Sequence, residues 1–212
     1  RMTVDVALAA LCCAFALNPR SRLVLALAAL TRETGLLLAA ASAAASLAQR
    51  RFRDAAVAVS TTLPALAWYA FVAARTSDYQ AGWLSAPFAG LLSRLRHPSP
   101  YPLDPWLETA VQAFDLLAIA GILAAIWLAL RLALARRTEP LPLALGLYAL
   151  VAIFLGRDDA WRDVYAFGRT LTPLLLLLPL ASPSRYSVIP WLAVAPRILL
   201  QFVSQASRVF LP

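Results

Sequence analysis

Four groups of side chains have types suited to chemistry, and they lie beside apolar runs where a charge is costly. Asp5 stands near the start of a helical pattern, where a carboxylate can answer the helix dipole, act in catalysis or bind a metal. Arg32 and Glu33 adjoin in the stretch LTRETG, residues 30–35, between the apolar runs LVLALAA and LLLAAASAAASLA. A guanidinium near a membrane surface suits a lipid phosphate, whose oxygens it grips in a bidentate fork. The competing reading of the same two residues is an Arg–Glu pair that fastens a helix break. In the loop GRDDAWRDVYAFGR, residues 156–169, Asp158, Asp159 and Asp163 crowd with Arg157, Arg162 and Arg169 around Trp161 and Tyr165. Its aromatics also suit plain anchoring at a membrane interface. Arg169 directly precedes TLTPLLLLL, which holds it at the mouth of a helix and weights it toward phosphate binding. His97, the single histidine, could serve as base or metal ligand, but its place between Arg96 and Pro98 favours simple exposure.

The chain that must position these groups is 61% hydrophobic and 14% charged, against about a quarter charged in a soluble domain. Its mean hydropathy of +0.71 makes it an integral membrane protein by composition. All basic residues are arginine, which with the abundant Ala and Leu suggests a high-GC bacterial genome. Those arginines are spread through short loops, so topology explains the basic charge and nucleic acid is excluded as a partner. Cys12 and Cys13 adjoin in an apolar helix and read as small hydrophobes. Phosphate loops, GxSxG elbows, HExxH and CxxC motifs do not occur. The chain opens on Arg1 inside a helix start, and is expected to be the C-terminal part of a longer protein.

Apolar runs predict helices over Thr3–Leu17, Leu23–Leu30, Leu36–Ala48, Ala55–Ala74 with a kink at Pro64, Thr109–Leu134, Leu141–Leu155, Thr170–Ala181 and Ser187–Val203. The predicted class is all-α, a polytopic membrane bundle with a re-entrant or broken helix pair and a periplasmic interfacial helix. Residues 1–74 hold the first helices, 75–108 a periplasmic segment and 109–212 the C-terminal helices. Arg20, Arg22, Arg50, Arg51, Arg53, Arg131, Arg136, Arg137 and Arg185 fall in connections that can share the cytoplasmic face. Arg20/Arg22 and Arg50/Arg51/Arg53 flank one stretch, and a single span cannot return both to that face. A continuous helix from Leu23 to Ala48 would run about 39 Å, too long for a ~30 Å hydrocarbon core. Two short helices meeting at LTRETG resolve the parity, with Thr31 and Thr34 satisfying freed backbone groups and Gly35 relaxing the geometry. In GWLSAPFAGLLSRLRH, Trp83, Leu84, Phe88, Leu91, Leu92 and Leu95 have amphipathic spacing, with Arg94 and Arg96 beside them, as in a helix lying in the interface.

An acid at a helix start (TVDVALAAL), a basic loop, and a short helix ending in L-T-R/K-x-x-G (LALAALTRETG) together resemble the GT-C class of polyprenyl-phosphate-dependent membrane glycosyltransferases. That class includes protein mannosyltransferase, aminoarabinose transferase and bacterial cell-surface glycopolymer-forming relatives. YAFGRTLTPLLLLLPL is similar to their R-Y-x-x-P-x-x-P helix start, with Thr170 where an aromatic often follows the arginine. The resemblance implies sugar transfer from a polyprenyl-phosphate donor to a glycan, lipid or protein acceptor at the periplasmic face of the bacterial inner membrane. It implies Asp5 as an acid of the active site, and Arg32 and Arg169 as ligands of the donor phosphate. It also implies a main catalytic carboxylate upstream of residue 1. No cofactor is implied with certainty, and a divalent metal is compatible with the pattern. A multispan transporter or flippase of envelope precursors is the alternative, since transporters also place charges at broken helices. A non-catalytic membrane scaffold is the third reading.

Overall fold

The computed structural model describes residues 2–76, 84–98, 100–101, 103–156, 161 and 164–210, with side chains described throughout except at 2–3, 164–166 and 204–210. The described residues are 83% helical, with no strand among them. In order, the α-helices are α1 (Met2–Leu17), α2 (Arg22–Thr31), α3 (Leu36–Ala48), α4 (Phe52–Ser60), α5 (Leu63–Arg75), α6 (Ala89–Arg96), α7 (Pro105–Ala135), α8 (Pro140–Phe154), α9 (Val164–Ala181) and α10 (Arg185–Phe210). Among the described residues, three stretches are long and apolar enough to cross a membrane: Phe52–Arg75, Pro105–Ala135 and Arg185–Val203. The first and third are mostly unburied within the protein and turn apolar residues such as Trp68, Phe71, Leu192 and Leu199 outward, as a lipid-facing surface requires.

At LTRETG the chain reverses. Ser21 caps α2 by accepting from the Val24 amide at 3.5 Å. Arg32 then leaves helical geometry for an extended conformation, and a 3-10 turn over Glu33–Gly35 leads into α3. The two helices run back on each other, since Arg22 and Leu25 of α2 share a cavity with Ser42 and Ser46 of α3. The freed carbonyls at the bend are satisfied from other helices. Tyr69 of α5 donates to Ala29 O at 2.6 Å, and Tyr148 of α8 donates to Thr34 O at 2.9 Å. The expectation that the two threonines do this work is corrected in part: Thr31 Oγ1 donates within α2 to Leu27 O, and Thr34 Oγ1 is buried without a partner among the described residues. Gly35 has ordinary right-handed geometry, so its role is close approach instead: a Cβ there would lie 1.9 Å from Ala28 O.

The arginine-rich connections gather at one end. Ser42 Oγ donates to Pro19 O at 2.7 Å, and Gln49 Nε2 to Thr138 O at 2.6 Å. Arg131 of α7 and Ser184, just before α10, line a common cavity. The bend at 32–35 and helix α6 lie toward the other end, as the reversal of α2 into α3 and the run of α7 require.

Three expectations change. The predicted helix Ala55–Ala74 is interrupted at Thr61–Thr62, and Pro64 serves the first turn of α5, where its missing amide costs nothing, instead of kinking a continuous helix. The predicted interfacial helix is only α6. Leu84 bridges to Leu155, and Phe88 adopts φ 59°, so the chain turns before the helix starts. The helix also packs inward, since Leu91 and Arg94 are buried; Trp83 lies outside the described residues. Finally, α9 begins at Val164, ahead of Thr170, and carries Pro173 and Pro179 inside it. Pro179 cannot donate to Leu175 O, and Trp191 Nε1 of α10 fills that place at 2.8 Å.

One hydrophobic core joins the first and last segments. Leu8, Cys12 and Phe15 of α1 belong to the same buried cluster as Leu38 of α3, Ile122 of α7, Leu145 of α8 and Leu174 and Leu177 of α9. Its many alanines let helix backbones approach closely, which is how membrane helices gain packing energy.

Candidate functional site

Asp5, in the first turn of α1, receives a guanidinium on each carboxylate oxygen. Arg32 Nη1 donates to Oδ1, and Arg169 Nε lies 3.3 Å from Oδ2. The three residues come from helices brought together only by folding: α1 starts beside the bend after α2, and α9 packs along α1. Arg32 is released toward Asp5 by the same extended backbone that ends α2. The side chains are 16% (Asp5), 17% (Arg32) and 33% (Arg169) exposed, so the cluster is sheltered and reachable from outside. Among the described residues the Asp5 carboxylate faces two guanidiniums, in surroundings that screen charge less than water does. The arrangement is chemically an anion receiver whose forks are held by a carboxylate.

Glu33 does not join the group. It is exposed and makes no ion pair among the described residues, so the expected fastening of the break by an Arg32–Glu33 pair is replaced by Arg32–Asp5. The physical reason is direction: Arg32 is extended and reaches back to Asp5 of α1, while Glu33 starts the 3-10 turn with its side chain exposed. His97 is exposed at the end of α6, its amide bonded to Ser93 O. Asp158, Asp159, Arg162, Arg157 and Asp163 lie outside the described residues, as does the side chain of Tyr165. Trp161 is 2% exposed and donates from Nε1 to Leu155 O at 2.8 Å, so it is a core residue and not an interface anchor. Among the described residues no three His, Cys, Asp or Glu side chains are grouped to hold a metal ion.

A second polar cluster escaped the sequence reading. Asp115, 3% exposed within α7, accepts from Arg94 Nη2 at 2.7 Å, Tyr101 Oη at 2.6 Å and Arg197 Nε at 2.8 Å. Arg197 also stacks over the Tyr101 ring at 5.4 Å and donates to Gln201 at 3.1 Å. The knot ties α6, the segment before α7, α7 itself and α10 together. Its signal was available: Asp115 interrupts an apolar run in VQAFDLLAIAGIL and Arg197 another in WLAVAPRILL, by the same reasoning that singles out Asp5. Arg94 was read as a flank of an interfacial helix and is instead buried against this acid.

No family model, curated protein or solved structure matches the chain.

Proposed function

We propose that Asp5, Arg32 and Arg169 form the phosphate-facing wall of a membrane glycosyltransferase that takes its sugar from a polyprenyl-phosphate donor at the periplasmic face of a bacterial inner membrane. The observation that carries this reading is the convergence of two arginines from LTRETG and GRTLTP on one carboxylate, in a sheltered position open to the outside. In the reaction, the acceptor hydroxyl oxygen bonds to the sugar's anomeric carbon as the bond from that carbon to the phosphate oxygen breaks. The hydroxyl proton passes to a general-base carboxylate, and the departing phosphate gains negative charge that Arg32 and Arg169 stabilise. Asp5, with both oxygens engaged, acts by aiming the two guanidiniums. A polyprenyl chain reaches such a site from the bilayer, which suits a position beside α1 and α2.

The test uses the full-length protein. Arg32→Ala and Arg169→Ala are expected to lower surface glycan formation on the order of 10²–10³-fold, the usual cost of removing a group that stabilises developing charge. Membrane insertion and protein level should be unchanged. Full glycan production in both variants overturns the assignment. If purified protein carries lipid-linked precursor across vesicle membranes without transferring sugar, the transporter reading replaces it.

A further inference from the structure

At the arginine-rich end, a cavity of about 490 Å³ opens between α7, α9 and α10, within the ~300–1,000 Å³ range of ligand pockets. Its walls are apolar, formed by Leu128, Leu132, Leu178 and Ile189, and its rim carries Arg131 and Tyr186. Trp127 and Ile189 at its edge are exposed, so the cavity opens sideways onto the outward apolar surface and not only at the helix ends. Arg131 lies over the Trp127 ring at 5.4 Å and meets no carboxylate among the described residues. Arg136 and Arg137 stand in the neighbouring connection and Arg185 opens α10; the nearby acid, Glu139, already faces Arg136 at 3.7 Å. The rim is therefore cationic without local compensation, and the interior is a slot with little polar lining.

We propose that this groove holds one acyl tail of an anionic phospholipid, with the lipid phosphate against Arg131. Charge complementarity selects the head group: a planar guanidinium held by an aromatic ring presents its fork to phosphate oxygens. The apolar wall selects the tail, since free phosphate would leave Leu128, Leu132 and Leu178 uncovered. Trp127 and Tyr186 have the amphipathic character of residues at the head-group level, which sets the phosphate at the height of Arg131. By the arginine rule this is the cytoplasmic leaflet, whose anionic lipids attract such a rim. The inference is independent of the Asp5–Arg32–Arg169 site, which lies toward the other end.

Native mass spectrometry and thermal unfolding of the purified full-length protein test it, in mixed micelles containing phosphatidylglycerol or phosphatidylcholine of the same acyl chains. Wild-type protein is expected to retain one phosphatidylglycerol about tenfold more tightly than phosphatidylcholine: both carry the phosphate, but the choline ammonium cancels the lipid's net charge and meets the rim arginines with like charge. Arg131→Gln removes that preference, and its exposed side chain leaves the packed core untouched. Ala124→Trp, which fills the slot, removes the retained lipid of either kind. The proposal is overturned by equal retention of the two lipids in the wild type, or by lipid retention unchanged in both variants. It is also overturned if inorganic phosphate alone stabilises the protein as strongly, or if a cross-linker placed at Leu128 captures another segment of the same chain.

Discussion

Asp115 shows most sharply what a single side chain can hold. Its carboxylate answers Arg94 and Arg197, both nearly fully buried, so Asp115→Asn leaves two desolvated cations with a neutral partner. Loss of one member of a buried pair costs about 3–5 kcal/mol. Detergent-titrated unfolding should register that loss, and Arg94→Met with Arg197→Met in the same chain should recover most of it. Tyr101 adds a pH-dependent part. Burial pushes its phenol above the ordinary value, and the bond it donates to the Asp115 carboxylate pushes it further. A raised folded-state pKa means that the folded chain holds the proton more tightly. The contribution is therefore complete below the free phenol's ~10 and is lost as pH rises through the higher folded value. Stability should fall more steeply above that point in the wild type than in Tyr101→Phe, which itself costs about 0.5–1.5 kcal/mol near neutrality. Asp5, Arg32 and Arg169 were legible one by one, because charge in apolar sequence is conspicuous. Their meeting was not, because it depends on α9 lying along α1, a pairing with no local signature. Glu33 shows the same gap: adjacency in sequence suggested a partner that backbone direction denies.

Among the elements, the bend between α2 and α3 rests on the absence of one methyl group. A Cβ at Gly35 would press into Ala28 O and the Ala29 amide, which are backbone atoms and cannot rotate away. Gly35→Ala is expected to cost about 1–3 kcal/mol or more, as overpacking does. It should also separate Arg32 from Asp5, so that thermal stability falls together with the phosphate affinity proposed for that site. Arginine counting made this reversal legible, since a single span could not return both basic flanks to one side. The sequence reading went astray where a helix carries proline. Pro64 looks alike whether it kinks a helix or opens one, and only the interruption at Thr61–Thr62 distinguishes the two. Likewise, the amphipathic spacing from Trp83 to Leu95 does not say whether the apolar face meets lipid or protein; Arg94 on Asp115 decides for protein.

For the molecule as a whole, the arginine-rich connections at one end and the bend at the other make a topology that labelling can read. With Cys12 and Cys13 replaced by serine, single cysteines at Arg51 and Ser184 should react with an impermeant maleimide from the same side of the membrane. Cysteines at Glu33 and His97 should react from the opposite side. Labelling of Glu33→Cys and Arg51→Cys from one side would show that α2 and α3 do not form the hairpin in the bilayer. The three described stretches with the length and apolarity to cross a membrane follow from composition. The shorter ones needed partners to be understood, and α8 is the clearest case. At fifteen residues it is about 22 Å long, short of a ~30 Å core. Its last carbonyls are nonetheless taken: Ile153 O by the Phe88 amide at 2.6 Å, Phe154 O by the Ser85 amide at 2.9 Å, and Leu155 O by Trp161. The segment 84–88 and Trp161 thus stand where water would otherwise have to stand. The end of α8 is sealed by protein groups, and its last three carbonyls need no solvent.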